Sequence, residues 1–169
     1  YDPFVEKIWY TWANLYGNGA FIELGTAGFN PVHGGNRSME YVYDNAAKWD
    51  FFSYWSETDY NFDSPQDWVS PAVKLLTVFF YGHPENDANV TEQMSIGLSD
   101  GVDKVNIDLD DMNAVRVAEW TEWNVELSDF TDVDLDAVET VYLTFGTSDN
   151  TTTPGGTGVV YFDNLRVYP

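Results

Sequence analysis

Apolar and polar side chains alternate with a period of two residues through most of this chain, and this constrains the fold more than any other feature. The alternation is strict at residues 38–43 and looser at residues 54–62. Residues 73–81 form a nearly continuous apolar run that ends at Gly82-His83-Pro84. A period of two places successive side chains on opposite faces of a β-strand. The first two segments are therefore predicted to be half-buried strands and the third a central strand.

The remaining strands are predicted from shorter patterns that are separated by turn residues. Asp100-Gly101 lies between two of these patterns and predicts a hairpin. We expect strands at residues 92–98, 103–108, 114–118, 120–127, 138–145 and 158–168, and mostly loop at 16–31 with a short strand at 21–24. Such a series is typical of an all-β jelly-roll sandwich of two antiparallel sheets. Without an internal repeat or linker, residues 1–169 are predicted to form one domain.

The charge of the chain excludes several classes of partner. Aspartate and glutamate number 28 against 7 lysines and arginines, which gives a formal net charge of −21. A field of this sign repels nucleic acid and anionic membranes, so we expect neither as a partner. It attracts Ca²⁺, which prefers carboxylate and carbonyl oxygens. Most of these carboxylates are equally well explained as a soluble surface.

Aromatic residues make up 17% of the chain, which separates it from disordered acidic tails. Acidity together with many aromatic rings is expected of a secreted carbohydrate-binding sandwich, although large rings also fill a β core. The chain contains no cysteine, which does not assign it to the cytosol. No apolar run is long enough to span a membrane. We expect a secreted or cell-surface protein from which any leader peptide has been removed.

Catalytic residues are hard to find in this sequence. The two histidines, His33 and His83, both lie in predicted loops, and there is no cysteine nucleophile. Two distant histidines also make a poor zinc site. A pair of carboxylates would be enough for a glycosidase, and the sequence does not give their separation. We expect no enzyme activity, and a small glycan-active enzyme stays open as an alternative.

A resemblance to a known family is carried mainly by the C-terminal third. Trp120-Thr121-Glu122-Trp123 begins a segment that ends at residue 130, and Val160-Tyr161-Phe162-Asp163-Asn164 lies in the last predicted strand. Together with the segment from His33 to Met39, these motifs resemble jelly-roll modules of bacterial secreted and surface proteins. Those modules belong to the galactose-binding-like group, which includes many carbohydrate-binding modules. The resemblance covers nearly the whole chain and implies a non-catalytic sandwich.

The resemblance also implies a structural calcium ion. In related modules such an ion joins the last strand to the loop before the second strand. Carried over to this chain, its ligands would be Asp163 and oxygens from around Gly35, Asn36 and Arg37. The alternative is that Asp163 accepts hydrogen bonds from neighbouring backbone amides.

The start of the chain departs from the family pattern, because Tyr1 matches the residue just after the family's first strand. The sandwich would then lack its first strand and have an open sheet edge. An open edge can pair with a strand from another chain. This supports a second hypothesis, in which the protein is a self-assembling surface-layer or filament subunit.

Four tryptophans are the candidates for stacking on a sugar ring: Trp9, Trp12, Trp49 and Trp55. They lie near predicted loops or on a strand that could face outward. Trp68, Trp120 and Trp123 are predicted to pack within the protein. The leading hypothesis is therefore a secreted, non-catalytic carbohydrate-binding module whose partner is a polysaccharide or other glycan.

Overall fold

The computed structural model describes residues 12–17, 21–46, 53–69, 73–87 and 92–169. Their regular structure is almost entirely β. The ten strands are β1 (Ala13–Gly17), β2 (Phe21–Thr26), β3 (Arg37–Asp44), β4 (Ser56–Gln66), β5 (Leu75–Tyr81), β6 (Met94–Ser99), β7 (Lys104–Asp108), β8 (Trp120–Glu126), β9 (Val138–Phe145) and β10 (Thr157–Tyr168). Two short 3-10 helices, Met112–Arg116 and Leu127–Asp129, flank β8. In the described part of the chain, no helix is long and apolar enough to cross a membrane.

The strands form two five-stranded sheets, and every pairing between them is antiparallel. We call them sheet I, with the order β1-β4-β9-β6-β7, and sheet II, with the order β2-β3-β10-β5-β8. The predicted all-β jelly-roll sandwich of two antiparallel sheets is therefore confirmed. Whether a strand precedes β1 concerns residues 1–11, which lie outside the described residues.

The inward faces of the two sheets form one hydrophobic core. Alternate residues of β9 and β6 point into it from sheet I, and alternate residues of β3 and β5 point into it from sheet II. These residues are Val141, Leu143, Phe145, Met94, Ile96, Leu98, Met39, Tyr41, Tyr43, Leu76, Val78 and Phe80. The strict alternation predicted for residues 38–43 is thus realised in β3, whose other face points away from the core.

The hairpin predicted at Asp100-Gly101 is confirmed. Strands β6 and β7 pair in register, with Ser99 opposite Lys104. Gly101 has a φ of 85°, a left-handed conformation that favours glycine. The Asp100 carboxylate accepts hydrogen bonds from the backbone amides of Val102 and Asp103, each at 2.8 Å. These contacts hold the turn between the two strands.

Two local predictions were wrong. Residues 114–118 were expected to be a strand, but residues 112–116 form a 3-10 helix, because the Asp111 side chain accepts a hydrogen bond from the amide of Asn113 and caps its start. Val115 is then buried in the core. The short strand expected at residues 21–24 is confirmed in β2, but the loop expected around it was wrong at residues 16 and 17, which belong to β1, and at residues 25 and 26, where β2 continues.

Candidate functional site

The outer face of sheet I is polar, and we call its outward-pointing residues the polar face. Since Val141, Leu143 and Phe145 of β9 point into the core, their neighbours Thr140, Tyr142 and Thr144 point outward. Strand pairing aligns the polar face in three rows across β4, β9, β6 and β7. The rows are Asn61-Thr140-Ser99-Lys104, Asp59-Tyr142-Gly97-Asn106 and Glu57-Thr144-Ser95-Asp108.

The middle row contains two buried acceptors without a partner. Oδ1 of Asp59 and Oδ1 of Asn106 are both inaccessible to solvent and accept no hydrogen bond from the described residues. They lie on β4 and β7, on either side of the half-buried Tyr142. At Gly97 a Cβ atom would meet Oδ1 of Asn106, so only glycine lets the Asn106 side chain lie over β6. Unpaired buried acceptors are unfavourable, and because neither oxygen is accessible to solvent, each side chain would have to turn outward to accept a hydrogen bond from a ligand.

Lys104 crosses the polar face diagonally and connects its outer rows. Its Nζ atom lies 2.8 and 2.7 Å from the two carboxylate oxygens of Glu57. On the way it passes 3.7 Å from the ring centroid of Tyr142, a cation–π contact. Thr144 donates a further hydrogen bond to Glu57 at 2.7 Å. Glu57, only 3% exposed, is thus fully paired.

The floor of the polar face is screened from solvent, while its rim is exposed. Asp59 is 5% exposed, and Thr140 and Thr144 are also buried. Asn61, Lys104 and Asp108 are exposed at the rim. Burial raises the pKa of Asp59, and the charge of Glu57 raises it further. The hydrogen bond from Asn61 lowers this pKa but does not offset the burial. Burial likewise raises the pKa of Tyr142. The arrangement is a recessed, acceptor-rich surface around one aromatic ring.

The raised pKa of Asp59 predicts how stability depends on pH. A carboxyl group whose pKa is higher in the folded state contributes stability at low pH and loses it as the pH rises through that pKa. We expect Asp59→Asn to remove this loss, so that the variant unfolds at a higher urea concentration than the wild type at pH 7. The difference should shrink as the pH approaches the ordinary aspartate value of 3.8.

The matched control for this prediction is Asp132→Asn, which also removes one charge but at an exposed turn. Both variants reduce the net negative charge equally, so the control measures the general effect of charge. Equal urea midpoints for the two variants at pH 7 would contradict the special role of buried Asp59.

None of the four tryptophans predicted to stack on sugar is placed on the polar face by the described residues. Trp12 is 7% exposed and packs in the core, with its ring centroid 5.7 Å from that of Tyr60. Trp55 is half-buried directly before β4. Trp9 and Trp49 lie outside the described residues. Sugar stacking by these four residues stays a prediction, and the burial of the Trp12 ring favours packing in the core.

A cavity of about 890 Å³ brings together the residues predicted to bind calcium. Gly35, Asn36, Arg37 and Asp163 line it together with Trp12 and other residues of the core. Both carboxylate oxygens of Asp163 already accept hydrogen bonds from backbone amides. The amides of His33 and Gly34 donate to Oδ2 at 3.0 and 2.9 Å, and the amide of Asn164 donates to Oδ1 at 2.7 Å.

These contacts do not fit a metal site. Ca²⁺ takes six to eight oxygen ligands, whereas Asp163 is surrounded by N–H donors and the guanidinium groups of Arg37 and Arg166 line the same cavity. Among the described residues there is no group of three or more carboxylates or histidines that could hold a metal. The calcium ion stays a prediction from the resemblance, and the geometry supports the alternative, in which Asp163 ties β10 to the loop before β3.

Two features of the surface were not predicted from the sequence: the grouping of polar residues on β4 and the outward direction of Trp120. Glu57, Asp59 and Asn61 alternate along β4, and this period was the signal that could have placed them together. Trp120 was predicted to pack in the core and does not. Trp123 packs against the core, and a separation of three residues in a strand puts Trp120 on the opposite face. The packing predicted for Trp68 is confirmed, since it is buried against Phe62.

No protein-family model and no curated protein matches this chain. Solved structures do match. An exo-β-agarase aligns with a TM-score of 0.62 at 13% identity, over 94% of this chain and 24% of its own. This chain therefore spans about a quarter of the agarase. A carbohydrate-binding module of family 28, described as specific for non-crystalline cellulose, aligns with a TM-score of 0.52 at 12% identity over 97% of this chain and 91% of its own.

A third match is the family 30 carbohydrate-binding module of a cellulosomal cellulase from Clostridium thermocellum. It aligns with a TM-score of 0.53 at 10% identity, over 93% of this chain and 96% of its own. At these identities the likeness concerns the fold. Since the two modules are covered almost from end to end, this chain has the jelly-roll sandwich fold of carbohydrate-binding modules.

Proposed function

We propose that the protein is a non-catalytic carbohydrate-binding module that holds a neutral polysaccharide on the polar face of sheet I. The observation that carries the proposal is the middle row, where unpartnered acceptors of Asp59 and Asn106 flank Tyr142. When these two side chains turn outward, a sugar supplies hydroxyl donors for both acceptors, and its apolar ring face packs beside the tyrosine, whose ring Lys104 covers in part. This combination suits a sugar better than a purely apolar or an anionic ligand.

Charge favours a neutral glycan. The polar face carries Glu57, Asp59 and Asp108, and the whole chain has a formal charge of −21. A sulfated or uronic-acid polymer would be repelled by this field, whereas a neutral one would not. The ligands of two proteins with a similar fold also favour a neutral polymer. One protein is specific for non-crystalline cellulose, and the other, a xylanase with an attached module, was solved with xylohexaose.

The geometry favours binding over hydrolysis. Glu57 and Asp59 are alternate residues of β4, so both carboxylates project from the same side of one strand. Glycosidases need two carboxylates that flank the bond between them. Both carboxylate oxygens of Glu57 are also engaged within the protein, by Lys104 and by Thr144. Glu57 and Asp59 therefore do not form an acid and base pair for hydrolysis, and the polar face offers contacts for binding.

Two further parts of the hypothesis come from the resemblance and the fold. Extracellular location fits a module that meets polysaccharides outside the cell. A calcium ion at Asp163 would be structural and is not needed for the contacts proposed on the polar face. Neither the described residues nor the comparisons support the alternative of a self-assembling filament or surface-layer subunit.

The proposal is tested by measuring binding to a panel of neutral polysaccharides: regenerated cellulose, xylan and agarose. We expect the wild-type protein to bind at least one of them in an affinity gel or a depletion assay. The double variant Asp59→Ala/Asn106→Ala should bind about tenfold more weakly, which corresponds to about 1.4 kcal/mol. That loss is in the range of hydrogen bonds to charged and polar groups.

The control is Asp132→Ala, which removes an exposed carboxylate from a turn that is not part of the polar face and should leave binding unchanged. Thermal unfolding of each variant verifies that the fold is kept. If the double variant binds as tightly as the wild type, the ligand does not bind at the polar face. A wild-type protein that binds none of the three polymers would contradict the proposed function.

A further inference from the structure

The outer face of sheet II carries a line of aromatic side chains. Strand pairing aligns Trp120 on β8 with Tyr81 on β5, and Tyr81 with Tyr161 on β10. We call these three residues the aromatic row. The line continues across β3 and β2 with Glu40 and Glu23, so one row crosses all five strands of the sheet. Its rings point away from the core, because Val160, Phe162 and Phe80 occupy the inward positions next to them.

The rings of the aromatic row are in contact with one another and partly open to solvent. The centroids of Trp120 and Tyr81 are 5.6 Å apart, and those of Tyr81 and Tyr161 are 6.3 Å apart. Trp120 and Tyr81 are half-buried, while Tyr161 is 8% exposed. Edge-to-face contacts of this kind hold aromatic rings in fixed orientations. Trp120 lies on β8, which is an edge strand of sheet II in the described part of the chain.

Polar groups surround the end of the row at Tyr161. Asn30 donates a hydrogen bond to Glu40 at 2.9 Å, and its amide lies 3.5 Å from the hydroxyl of Tyr161. Burial raises the pKa of Glu40, and the nearby charge of Glu23 raises it further. The row therefore runs from an apolar ring at the sheet edge to carboxylates and an amide in the middle of the sheet.

In the neighbouring row on the same face, another side chain of the protein stacks on the ring of Phe79. Phe79 is covered by the imidazole of His33, which stacks on it with a centroid distance of 3.9 Å. Asn164 holds that imidazole with a 2.9 Å contact to its Nδ1 atom. His33 also contacts Trp120, with a centroid distance of 5.4 Å, and the rings of Trp120 and Tyr81 keep part of their surface accessible.

We propose that the aromatic row is a second glycan-binding surface, which takes a neutral sugar chain running across the strands of sheet II. This inference rests on the proposed function in assuming that the module binds polysaccharide, but it uses different residues on the opposite face. A pyranose ring offers an apolar face for Trp120 and Tyr81 and hydroxyl donors for Glu40. Aromatic rings with a flanking carboxylate and amide match that combination.

Charge distinguishes a glycan from other occupants of this face. Glu23, Glu40 and Glu122 lie on the aromatic row or beside it, and a second copy of the chain would also have a formal charge of −21. Association of two such surfaces, or docking of an acidic partner, would bring like charges together. A neutral polyol is not repelled, and it donates hydrogen bonds to the same carboxylates.

The two surfaces point in opposite directions, because each is the outer face of one layer of the sandwich. Packed sheets lie about 10 Å apart, and the core fills the space between them. A single extended sugar chain could not lie on both faces at once. A module with both surfaces would hold two sugar chains and link them, which raises its avidity for insoluble polymers.

Calorimetry with a soluble hexasaccharide of the polymer that the protein binds tests this inference. We expect the wild type to bind two equivalents per chain, and Trp120→Ala/Tyr81→Ala to bind one. The polar-face variant Asp59→Ala/Asn106→Ala should also bind one equivalent, and the combined variant none. Trp120→Phe/Tyr81→Phe keeps the rings and should retain both equivalents, which separates stacking from a loss of fold.

Each result bears on one surface. If Trp120→Ala/Tyr81→Ala leaves the stoichiometry unchanged, the aromatic row is not a binding surface and the polar face stands. The wild type could instead bind a single equivalent. If only Asp59→Ala/Asn106→Ala loses it, the aromatic row is again overturned as a binding surface. If the single equivalent is lost only in Trp120→Ala/Tyr81→Ala, the aromatic row is supported and the polar-face proposal falls. No binding by the wild type overturns both.

Discussion

We expect Phe145→Ala to lower the free energy of unfolding by about 3–5 kcal/mol, the usual range for deleting a buried aromatic ring. Phe145 is fully buried at the end of β9. Its ring stacks on Tyr43 with a centroid distance of 4.3 Å and also contacts Tyr41 and Phe162 from the opposite sheet. The ring thus fills the space between the two layers, and alanine would leave a cavity there.

Urea denaturation measures this effect, and Phe145→Leu is its matched control. Leucine keeps most of the buried apolar volume, so we expect it to lose clearly less stability than alanine. Since small domains have a total stability of about 5–15 kcal/mol, the alanine variant is expected to lose a large share of its stability. A loss below about 1 kcal/mol would mean that Phe145 does not join the sheets as described.

The second large effect is expected for Gly82→Ala, with a loss of about 3 kcal/mol. A Cβ atom at Gly82 would meet the backbone carbonyl of Val115 and lie 2.8 Å from that of Ala114. The two segments approach this closely because His83 donates a backbone hydrogen bond to Val115 at 3.0 Å, and Gly82 donates one to Val117 at 3.1 Å. A backbone atom cannot rotate away as a side chain can, so the segments must separate.

Gly28→Ala is the matched control for this prediction. Gly28 has a φ of 91°, which favours glycine, but a Cβ atom there would meet nothing within 4 Å. Its cost should therefore be conformational alone, about 1 kcal/mol. Thermal unfolding of both variants compares steric and conformational costs directly. If Gly82→Ala proves no more destabilising than Gly28→Ala, the close approach of residues 82 and 115 is not rigid.

Local patterns in the sequence predicted the strands well, because each strand needs only its own alternation. Residues 38–43 became the middle of β3, and Asp100-Gly101 became the turn of the β6–β7 hairpin. The failures arose where another contact decided the conformation. At residues 112–116 the cap by Asp111 and the burial of Val115 favoured a 3-10 helix over a strand.

The candidate surfaces could not be predicted in the same way, because each is made by register between distant strands. Asp59 and Asn106 are 47 residues apart in the sequence, and they share a row only through the pairings of β4, β9, β6 and β7. Alternation also left the direction of Trp120 undecided. Trp120 and Trp123 look alike in sequence, and only the core contacts of Trp123 show which one points outward.

The hairpin turn at Asp100-Gly101 has a consequence for recognition, because it adjoins the polar face, where the amide of Gly101 donates a hydrogen bond to Ser99 at 3.0 Å. The turn sets the register of β7 against β6, so that Lys104 and Asn106 face outward while Val105 and Ile107 pack against the core. A slip of one residue would exchange these two sets. If the polar face binds sugar as proposed, the length of this turn is therefore part of its ligand specificity, and inserting one residue there would change which side chains the face presents.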